Sequence, residues 1–185
     1  MRATIREHKF SLRSEYDITS DIANYTATKA ILSLLAELEV RNNAGDVAAT
    51  ISGNFSLFRA SYDFTLADAR TFQYACEKIF KGVYSCIGGS GESFHLFQHR
   101  GLRYSIFKDT PAGSTQIAAI TRNALVICDG HEYDLLVNAD DDFIVVACMV
   151  LALNTDQFPD DNSTVTYDFG NLFEDRKFDE SWHPL

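Results

Sequence analysis

The stretch RASYDFTLAD, residues 59–68, repeats a pattern that the chain has already used in RSEYDITSD, residues 13–21. Aligning Tyr16 with Tyr62 also matches an arginine three residues before each tyrosine and an aspartate directly after it. A third, looser copy lies within residues 30–51. Each copy has a short apolar segment, an alternation of acidic and apolar residues, a turn and a second apolar segment. This order predicts a strand, turn, strand unit that occurs three times.

Alternation of apolar and polar residues continues beyond the repeat, which predicts strands with one buried face. Turn signals separate these segments at IGGSGE, HRG, TPAGS and CDGHE. The chain has only three prolines and many aromatic and β-branched residues, so it reads as a long antiparallel meander of ten or more strands. The alternating residues expected to share a face are Phe72 with Tyr74 and Cys76, Tyr104 with Ile106, and Tyr133 with Leu135 and Val137.

One segment, ATKAILSLLAELEV at residues 27–40, fits two structures. Ala27, Ile31, Leu34 and Leu38 form a helical stripe, which is typical of an amphipathic helix. The repeat instead requires strands in this region. Both alternatives stay open, and we favour strands.

A long apolar run, FIVVACMVLAL at residues 143–153, follows the meander. This run is about half as long as the ~20 residues that a membrane-spanning helix needs. As a helix, residues 143–153 would measure about 17 Å. A helix that is apolar on every side must be surrounded on every side, and Asn138 with Asp140–Asp142 suit its positive end. Because an open meander leaves unpaired edges, we expect a closed antiparallel β-barrel that encloses one central hydrophobic helix at about 141–154.

These features resemble a known family. YDITSD, YDFTLAD, QIAAI at 116–120, and HEYDLLVNADDDF at 131–143 with its apolar helix are similar to the tubby C-terminal-like superfamily. The similarity is to its LURP-one-related branch, to which the phospholipid scramblases are related, and it covers about residues 5–154. It implies a barrel of about 12 strands around a central helix. No lipid-binding or calcium-binding residue of these relatives can be matched to a position in this chain.

The chain departs from that family at its C-terminal end. We expect a tubby-like barrel at residues 1–154 and an acidic, aromatic extension at 155–185. Acidic tails that stay disordered are usually poor in aromatic residues. We therefore expect the extension to pack on the barrel or on a second subunit, with a peptide motif for a protein partner as the alternative. The aromatic residues assigned to this partner-binding role are Phe169, Phe173, Phe178 and Trp182.

The charge is distributed unevenly along the 185 residues. The net charge is −10, and residues 131–185 carry 13 acidic and 2 basic residues. A pI near 4.8 argues against general nucleic-acid binding, which needs a basic face. A local patch for an anionic ligand remains a hypothesis, although scattered, solvated cations are the simpler interpretation. Its candidate residues are Lys78, Lys81, Arg100 and Arg103.

The N-terminal MRATIREHKF has no apolar segment after its basic residues, so we expect a cytoplasmic protein without a signal peptide or transmembrane segment. The four cysteines are widely spaced, which favours buried thiols over disulfides or a metal site. We predict no cofactor and no metal. His95 and His99 lie too far apart on a strand to share a zinc ion, and Asp140–Asp142 do not match an EF-hand loop.

No local signature predicts catalysis. Ser85, Cys86 and His99 are the only residues that we considered as a catalytic group, and core packing explains the cysteine better. GGSG at 88–91 lacks the Lys-Ser/Thr of a P-loop, which favours a hairpin turn. We therefore predict a non-enzymatic binding or scaffolding protein whose partner is another protein or a second copy. The alternative is a peripheral membrane protein that binds anionic phospholipid or phosphoinositide.

Overall fold

The structure is a computed structural model. It describes residues 1–10, 13–29, 37–54, 61–78, 82–126, 130–138, 142–157 and 176–184. The described residues form twelve strands followed by one helix. The strands are β1 (Arg2–Phe10), β2 (Arg13–Ser20), β3 (Asn24–Lys29), β4 (Glu37–Asn42), β5 (Val47–Asn54), β6 (Ser61–Leu66), β7 (Thr71–Lys78), β8 (Val83–Gly88), β9 (Ser93–His99), β10 (Arg103–Thr110), β11 (Gly113–Val126) and β12 (Gly130–Val137); the helix is α1 (Phe143–Gln157).

The twelve strands form a closed antiparallel barrel, as predicted. Each strand pairs with its neighbour in the chain, and β1 closes the barrel by pairing with β12 from Arg2 opposite Leu136 to Arg6 opposite Glu132. The N-terminal ammonium adds a 3.0 Å hydrogen bond to the carbonyl of Val137. Closure leaves no strand edge in the sheet, which removes the usual template for edge-to-edge aggregation.

The repeated segments occupy equivalent places in this sheet. Ile18 in β2, Val40 in β4 and Phe64 in β6 all point into the barrel and are fully buried. The predicted turns follow them, because Asn42 to Asp46 closes the β4–β5 hairpin and Leu66 to Arg70 closes the β6–β7 hairpin. The contested segment begins and ends in strands, β3 and β4, while residues 30–36 lie outside the described part of the chain.

Helix α1 fills the interior of the barrel. From Val145 to Leu153 every side chain is at most 1% exposed, and these residues form one cluster with the inward side chains of the strands. The prediction of a central helix is confirmed, with a start at Phe143 rather than 141 and an end at Gln157 rather than 154. Burial on all sides explains why the run has no polar face.

The N-terminal end of α1 is held by charge. The carboxylate of Asp142, which we expected to cap the helix, instead accepts two 2.8 Å hydrogen bonds from Nζ of Lys108 on β10. Its negative charge still lies at the positive end of the helix dipole. Asn138 is also engaged elsewhere, donating to the carbonyl of Gln116 at 3.4 Å. Asp140 and Asp141 lie outside the described residues.

The C-terminal end of α1 is held by a buried polar chain. Asn154 accepts a 2.8 Å hydrogen bond from the Tyr133 hydroxyl and donates one of 3.2 Å to the Tyr16 hydroxyl, which in turn donates to Glu7 at 3.2 Å. All four side chains are at most 3% exposed. Burial raises the pKa of both tyrosines, and the charge of Glu7 adds to the effect on Tyr16, so both hydroxyls stay protonated donors.

Gly130 allows β12 to begin next to this polar chain. Its φ is +87°, and a Cβ there would lie 2.6 Å from the backbone oxygen of Glu7. Glycine is therefore required at this position both by backbone conformation and by the close approach of β1. The amide of the next residue, His131, donates to the Glu7 carboxylate at 3.2 Å.

Candidate functional site

Helix α1 occupies the interior of the barrel, and its side chains pack there against the inward side chains of the described strands. Inward-facing side chains such as Tyr104, Ile106 and Phe94 are fully buried against the helix. Barrels that carry small molecules in their lumen keep that lumen empty. A binding site in the described part of this protein is therefore expected on the outside of the barrel.

One part of the outer wall is buried although it faces away from the barrel interior. His99 on β9 and Ser105 on β10 are each 1% exposed, and Phe107 is 7% exposed. The outward residues of β6 and β7 behave differently, since Thr65 and Gln73 are exposed as expected for a solvated sheet face. The outer wall of β9 and β10 is thus covered.

The C-terminal segment 176–184 lies on this wall. The ring of Phe178 meets the His99 imidazole edge to face, with centroids 5.3 Å apart, and the Arg103 guanidinium lies 4.8 Å from the same ring. Nη1 of Arg103 also donates a 2.7 Å hydrogen bond to Glu180. We call the site formed by His99, Arg103 and Ser105 beneath Phe178 the outer slot.

The floor of the outer slot is ordered by its own hydrogen bonds. Nε2 of His99 and the Ser105 hydroxyl are 2.7 Å apart in a buried contact. Nε of Arg103 donates to the carbonyl of Arg100 at 3.2 Å, which orients the guanidinium. The slot therefore presents an aromatic face and a directed cation side by side.

A second stacking contact fastens the same segment to the wall. The Arg176 guanidinium lies 3.9 Å from the ring centre of Phe107 and 5.3 Å from that of Phe97. The two phenyl rings pack edge to face, with centroids 5.6 Å apart. Cation–π contacts of this kind stabilise an exposed arginine over an apolar surface.

Grooves run along both sides of the segment. The first has a volume of about 530 Å³, and the second about 610 Å³. Trp182, His183 and Asp179 line both grooves, so the segment forms the shared wall. The first groove is also lined by Gln116 and Lys177, and the second by Thr121 and Leu136, among others.

Three of the four residues of the predicted basic patch lie in the described part of the chain. Lys78 is exposed at the end of β7, and Arg100 is exposed in the turn after β9. Arg103 lies in the outer slot, where Glu180 balances its charge. Lys81 lies outside the described residues. The described members therefore lie on or next to strands β7, β9 and β10, and the patch stays a prediction.

The aromatic residues predicted to bind a partner fall into two groups. Phe178 and Trp182 lie on the barrel, one over the outer slot and one between the grooves. Phe169 and Phe173 lie outside the described residues. Their predicted role stays a prediction.

The residues considered for catalysis are not brought together. Cys86 points into the core, while Ser85 and His99 face outward, because adjacent strand residues point to opposite faces. Burial raises the pKa of the Cys86 thiol, and it raises the pKa of Cys148 on α1 to about 12. Neither sulfur is a thiolate at neutral pH. The GGSG segment closes the β8–β9 hairpin through a 3.0 Å hydrogen bond from Gly91 to Gly88.

A serine, a histidine and an aspartate do meet on the outer wall. His95 lies 3.2 Å from the Ser93 hydroxyl and 3.1 Å from Asp109, but the same ring nitrogen, Nε2, makes both contacts. A catalytic triad uses the two ring nitrogens separately, so this arrangement cannot relay a proton. Hydrogen bonds from Ser114 and His95 outweigh the opposing effect of desolvation and lower the pKa of Asp109.

Two charged side chains inside the barrel were not among the predicted site residues. Glu7 and Arg122 are 3% and 5% exposed, and Nη2 of Arg122 lies 2.8 Å from Nδ1 of His131. The alternation of Ala3, Ile5 and Glu7 along β1 was a usable signal for the inward direction of Glu7.

Within the described residues, no group of three or more His, Cys, Asp or Glu side chains is placed to hold a metal ion. The described helix is also too short to qualify as a membrane span.

Comparison with protein-family models, with curated proteins and with solved structures finds no match for this chain.

Proposed function

We propose that this protein is a non-enzymatic intracellular binding or scaffolding protein that engages its partner through the outer wall of β9 to β12. The observation that carries the proposal is the filling of the barrel by α1, whose residues Val145 to Leu153 are at most 1% exposed. A ligand of the barrel then has to bind outside. The outer slot and the two grooves beside segment 176–184 are concave features of the described part of that wall.

The residue types at the outer slot support a protein partner. Half-buried aromatic and cationic groups lie together at the outer slot, as Phe178 and Arg103 do. Aromatic and arginine side chains are enriched in protein–protein interfaces, where they carry much of the binding energy. The outer face of β6 and β7 presents residues such as Thr65 and Gln73 and has no comparable aromatic cluster among its described residues.

We further propose membership of the tubby C-terminal-like superfamily, in its LURP-one-related branch. The support is architectural: a closed antiparallel barrel of twelve strands is followed in the chain by a buried apolar helix. The quoted motifs lie in matching places, since YDITSD belongs to β2 and YDFTLAD to β6 and its turn.

Binding to anionic phospholipid is the alternative proposal. Exposed Lys78 and Arg100 favour it, because each basic residue near an anionic surface contributes roughly 1 kcal/mol. The pairing of Arg103 with Glu180 and the net charge of −10 weigh against it. We therefore rank it second.

Site-specific photo-crosslinking tests the first proposal. A benzophenone amino acid is placed at Thr115 or Thr121, which are exposed and line the two grooves, and the full-length protein is irradiated in native cell extract. Matched control positions are Thr65 and Gln73, exposed on the outer wall of β6 and β7 away from both grooves. We expect a discrete protein adduct from the groove positions alone. Equal adducts from both walls, or none from the grooves, would contradict the proposal.

Liposome flotation tests the alternative. The protein is mixed with neutral vesicles or with vesicles that contain phosphoinositide, at low and at physiological salt. Flotation on anionic vesicles alone, lost with salt and with Arg100→Glu, would support lipid binding. Absence of flotation with retained groove adducts would leave the protein-binding proposal in place.

A further inference from the structure

We infer that the outer slot recognises a linear peptide in which an aromatic residue is followed two positions later by an acidic residue, and that segment 176–184 occupies it in cis. This inference deepens the proposed function and rests on it. Phe178 and Glu180 are the template for the partner, because both engage Arg103 directly. The partner class is therefore an acidic peptide with an aromatic anchor.

The aromatic half of the template is defined by two contacts of the Phe178 ring. The imidazole of His99 meets the Phe178 ring at an interplanar angle of 64°, while the Arg103 guanidinium lies 4.8 Å from its centre. The contact with Ser105 at 2.7 Å holds the imidazole in place, and His99 is 1% exposed. An aliphatic side chain would fit the space but forfeit the cation–π attraction.

The acidic half is defined by the direction of the guanidinium. Nε of Arg103 is engaged by the carbonyl of Arg100, which turns Nη1 toward the Glu180 carboxylate at 2.7 Å. Phe178 and Glu180 stand two positions apart where the segment enters a turn, which a 3.4 Å hydrogen bond from the Trp182 amide to the Asp179 carbonyl closes, and this places an aromatic ring and a carboxylate on one arginine. Charge complementarity thus selects an acidic rather than a basic peptide.

A peptide partner can displace segment 176–184 from the outer slot, because the contacts of the segment there are weak. The side chain of Glu180 is 76% exposed and that of Arg103 33% exposed, and ion pairs this open contribute little to stability. Phe178 itself is only half-buried. A peptide that offers the same two groups in a longer contact can therefore displace the segment while the barrel stays folded.

Fluorescence anisotropy with a labelled peptide of residues 176–184, RKFDESWHP, tests the inference. The full-length protein is compared with its Phe178→Ala/Glu180→Ala variant, in which the cis segment lacks both anchors. A tethered competitor acts at an effective concentration on the order of millimolar, and the apparent dissociation constant scales inversely with the fraction of open slots. We expect the variant to bind the peptide about tenfold more tightly than the wild type. Equal affinity would overturn the inference.

A charge swap supplies the specificity control. Adding Arg103→Glu to the double variant should reduce binding of the native peptide at least about tenfold, and a peptide carrying Glu180→Arg should restore it. Circular dichroism melts confirm that each variant is folded. If Arg103→Glu leaves the affinity for the native peptide unchanged, the inference is overturned. If the wild-type protein is in a monomer–dimer equilibrium and Glu180→Arg abolishes the dimer, the outer slot binds a second copy of the chain. That result would also overturn the inference.

The two proposals fail in different ways. If the peptide does not bind while groove positions Thr115 and Thr121 still crosslink a partner, the peptide inference is wrong and the proposed function stands. If the crosslinks are absent but the peptide binds with the expected charge dependence, the outer slot is a peptide site and the proposed groove partner is wrong.

Discussion

Asn154→Ala is the substitution that most directly probes how α1 is held inside the barrel. The Asn154 amide bridges two hydroxyls at the end of the helix, accepting from Tyr133 at 2.8 Å and donating to Tyr16 at 3.2 Å. All three side chains are at most 3% exposed. Alanine removes both hydrogen bonds and leaves the Tyr133 hydroxyl without its acceptor in a dry site.

The expected magnitude follows from these contacts. Two lost hydrogen bonds cost about 1 kcal/mol each, and a buried donor without its acceptor costs roughly 1–3 kcal/mol more. Asn154→Ala should therefore lower the free energy of unfolding by about 4 kcal/mol. Domains are typically stable by about 5–15 kcal/mol, so the variant should fold but unfold at much lower denaturant.

Urea denaturation followed by far-UV circular dichroism measures this loss. Asn123→Ala is the matched control, because the Asn123 amide also makes two hydrogen bonds, of 3.0 Å to Glu132 and 2.9 Å to Asp134, but on the outer face of the barrel. The control should cost less than about 1 kcal/mol, since water replaces its partners. An equal loss for the two variants would contradict the buried bridge.

A double-mutant cycle with Tyr133→Phe isolates the bridge itself. Once the Tyr133 hydroxyl is gone, removing Asn154 no longer leaves a buried donor without its acceptor. The double variant should therefore be more stable, by at least about 1 kcal/mol, than the sum of the single losses predicts. Additivity within about 0.5 kcal/mol would refute the reasoning.

Three further predictions concern the core, the backbone and pH. Leu151→Ala on α1 should cost about 3–5 kcal/mol in urea denaturation, because the surrounding barrel cannot collapse into the cavity, whereas Ile87→Ala on the outer face should stay within about 0.5 kcal/mol. Gly130→Ala should be more destabilising than Gly91→Ala. Both glycines have a left-handed φ, but only Gly130 also lies against β1. Similar urea midpoints for the two variants would contradict this expectation. Burial raises the pKa of Tyr16 in the folded protein above the ordinary value of 10.0. The stability that the protonated Tyr16 hydroxyl contributes is therefore complete below pH 10. Above pH 10 this contribution falls by about 1.4 kcal/mol per pH unit. Denaturation midpoints from pH 9 to 11.5 should show this fall, and Tyr16→Phe should reduce its slope.

Much of the fold could be predicted because its strands bury one face. The alternation of Tyr133, Leu135 and Val137 gave the direction of β12, and all three are buried against α1 as expected. The same alternation holds for Tyr104 and Ile106 in β10. A period of two in hydrophobicity is a local signal that survives in a single sequence.

The alternation was less informative where the sheet is irregular. The pairing of β7 with β8 shifts between Cys76 and Lys78, and Cys76, although it packs against the same core as Phe72 and Tyr74, is only half-buried. In β11, Ile117 is the additional residue of a bulge opposite Ile106 and Phe107. The position of a bulge depends on how two strands pair, so it cannot be predicted from the sequence of either strand alone.

The outer slot could be predicted only in part. Phe178 and Arg103 were both among the candidate residues, but for separate roles, one in a partner-binding tail and the other in a basic patch. The structure joins them, since Arg103 contacts Phe178 and Glu180, which lie 75 and 77 positions later in the sequence. No pattern within either segment encodes that pairing.

The sequence by itself determined the strands, their inward faces, the central helix and the need for closure, because each follows from local hydrophobic periodicity and from the cost of unpaired edges. Only the tertiary structure decided what the buried polar groups bind. Tyr16 meets Asn154 across 138 positions, and His131 meets Glu7 across 124. Such contacts form when the barrel closes around α1 and water is excluded, so a polar residue's partner depends on the whole fold rather than on its neighbours in sequence.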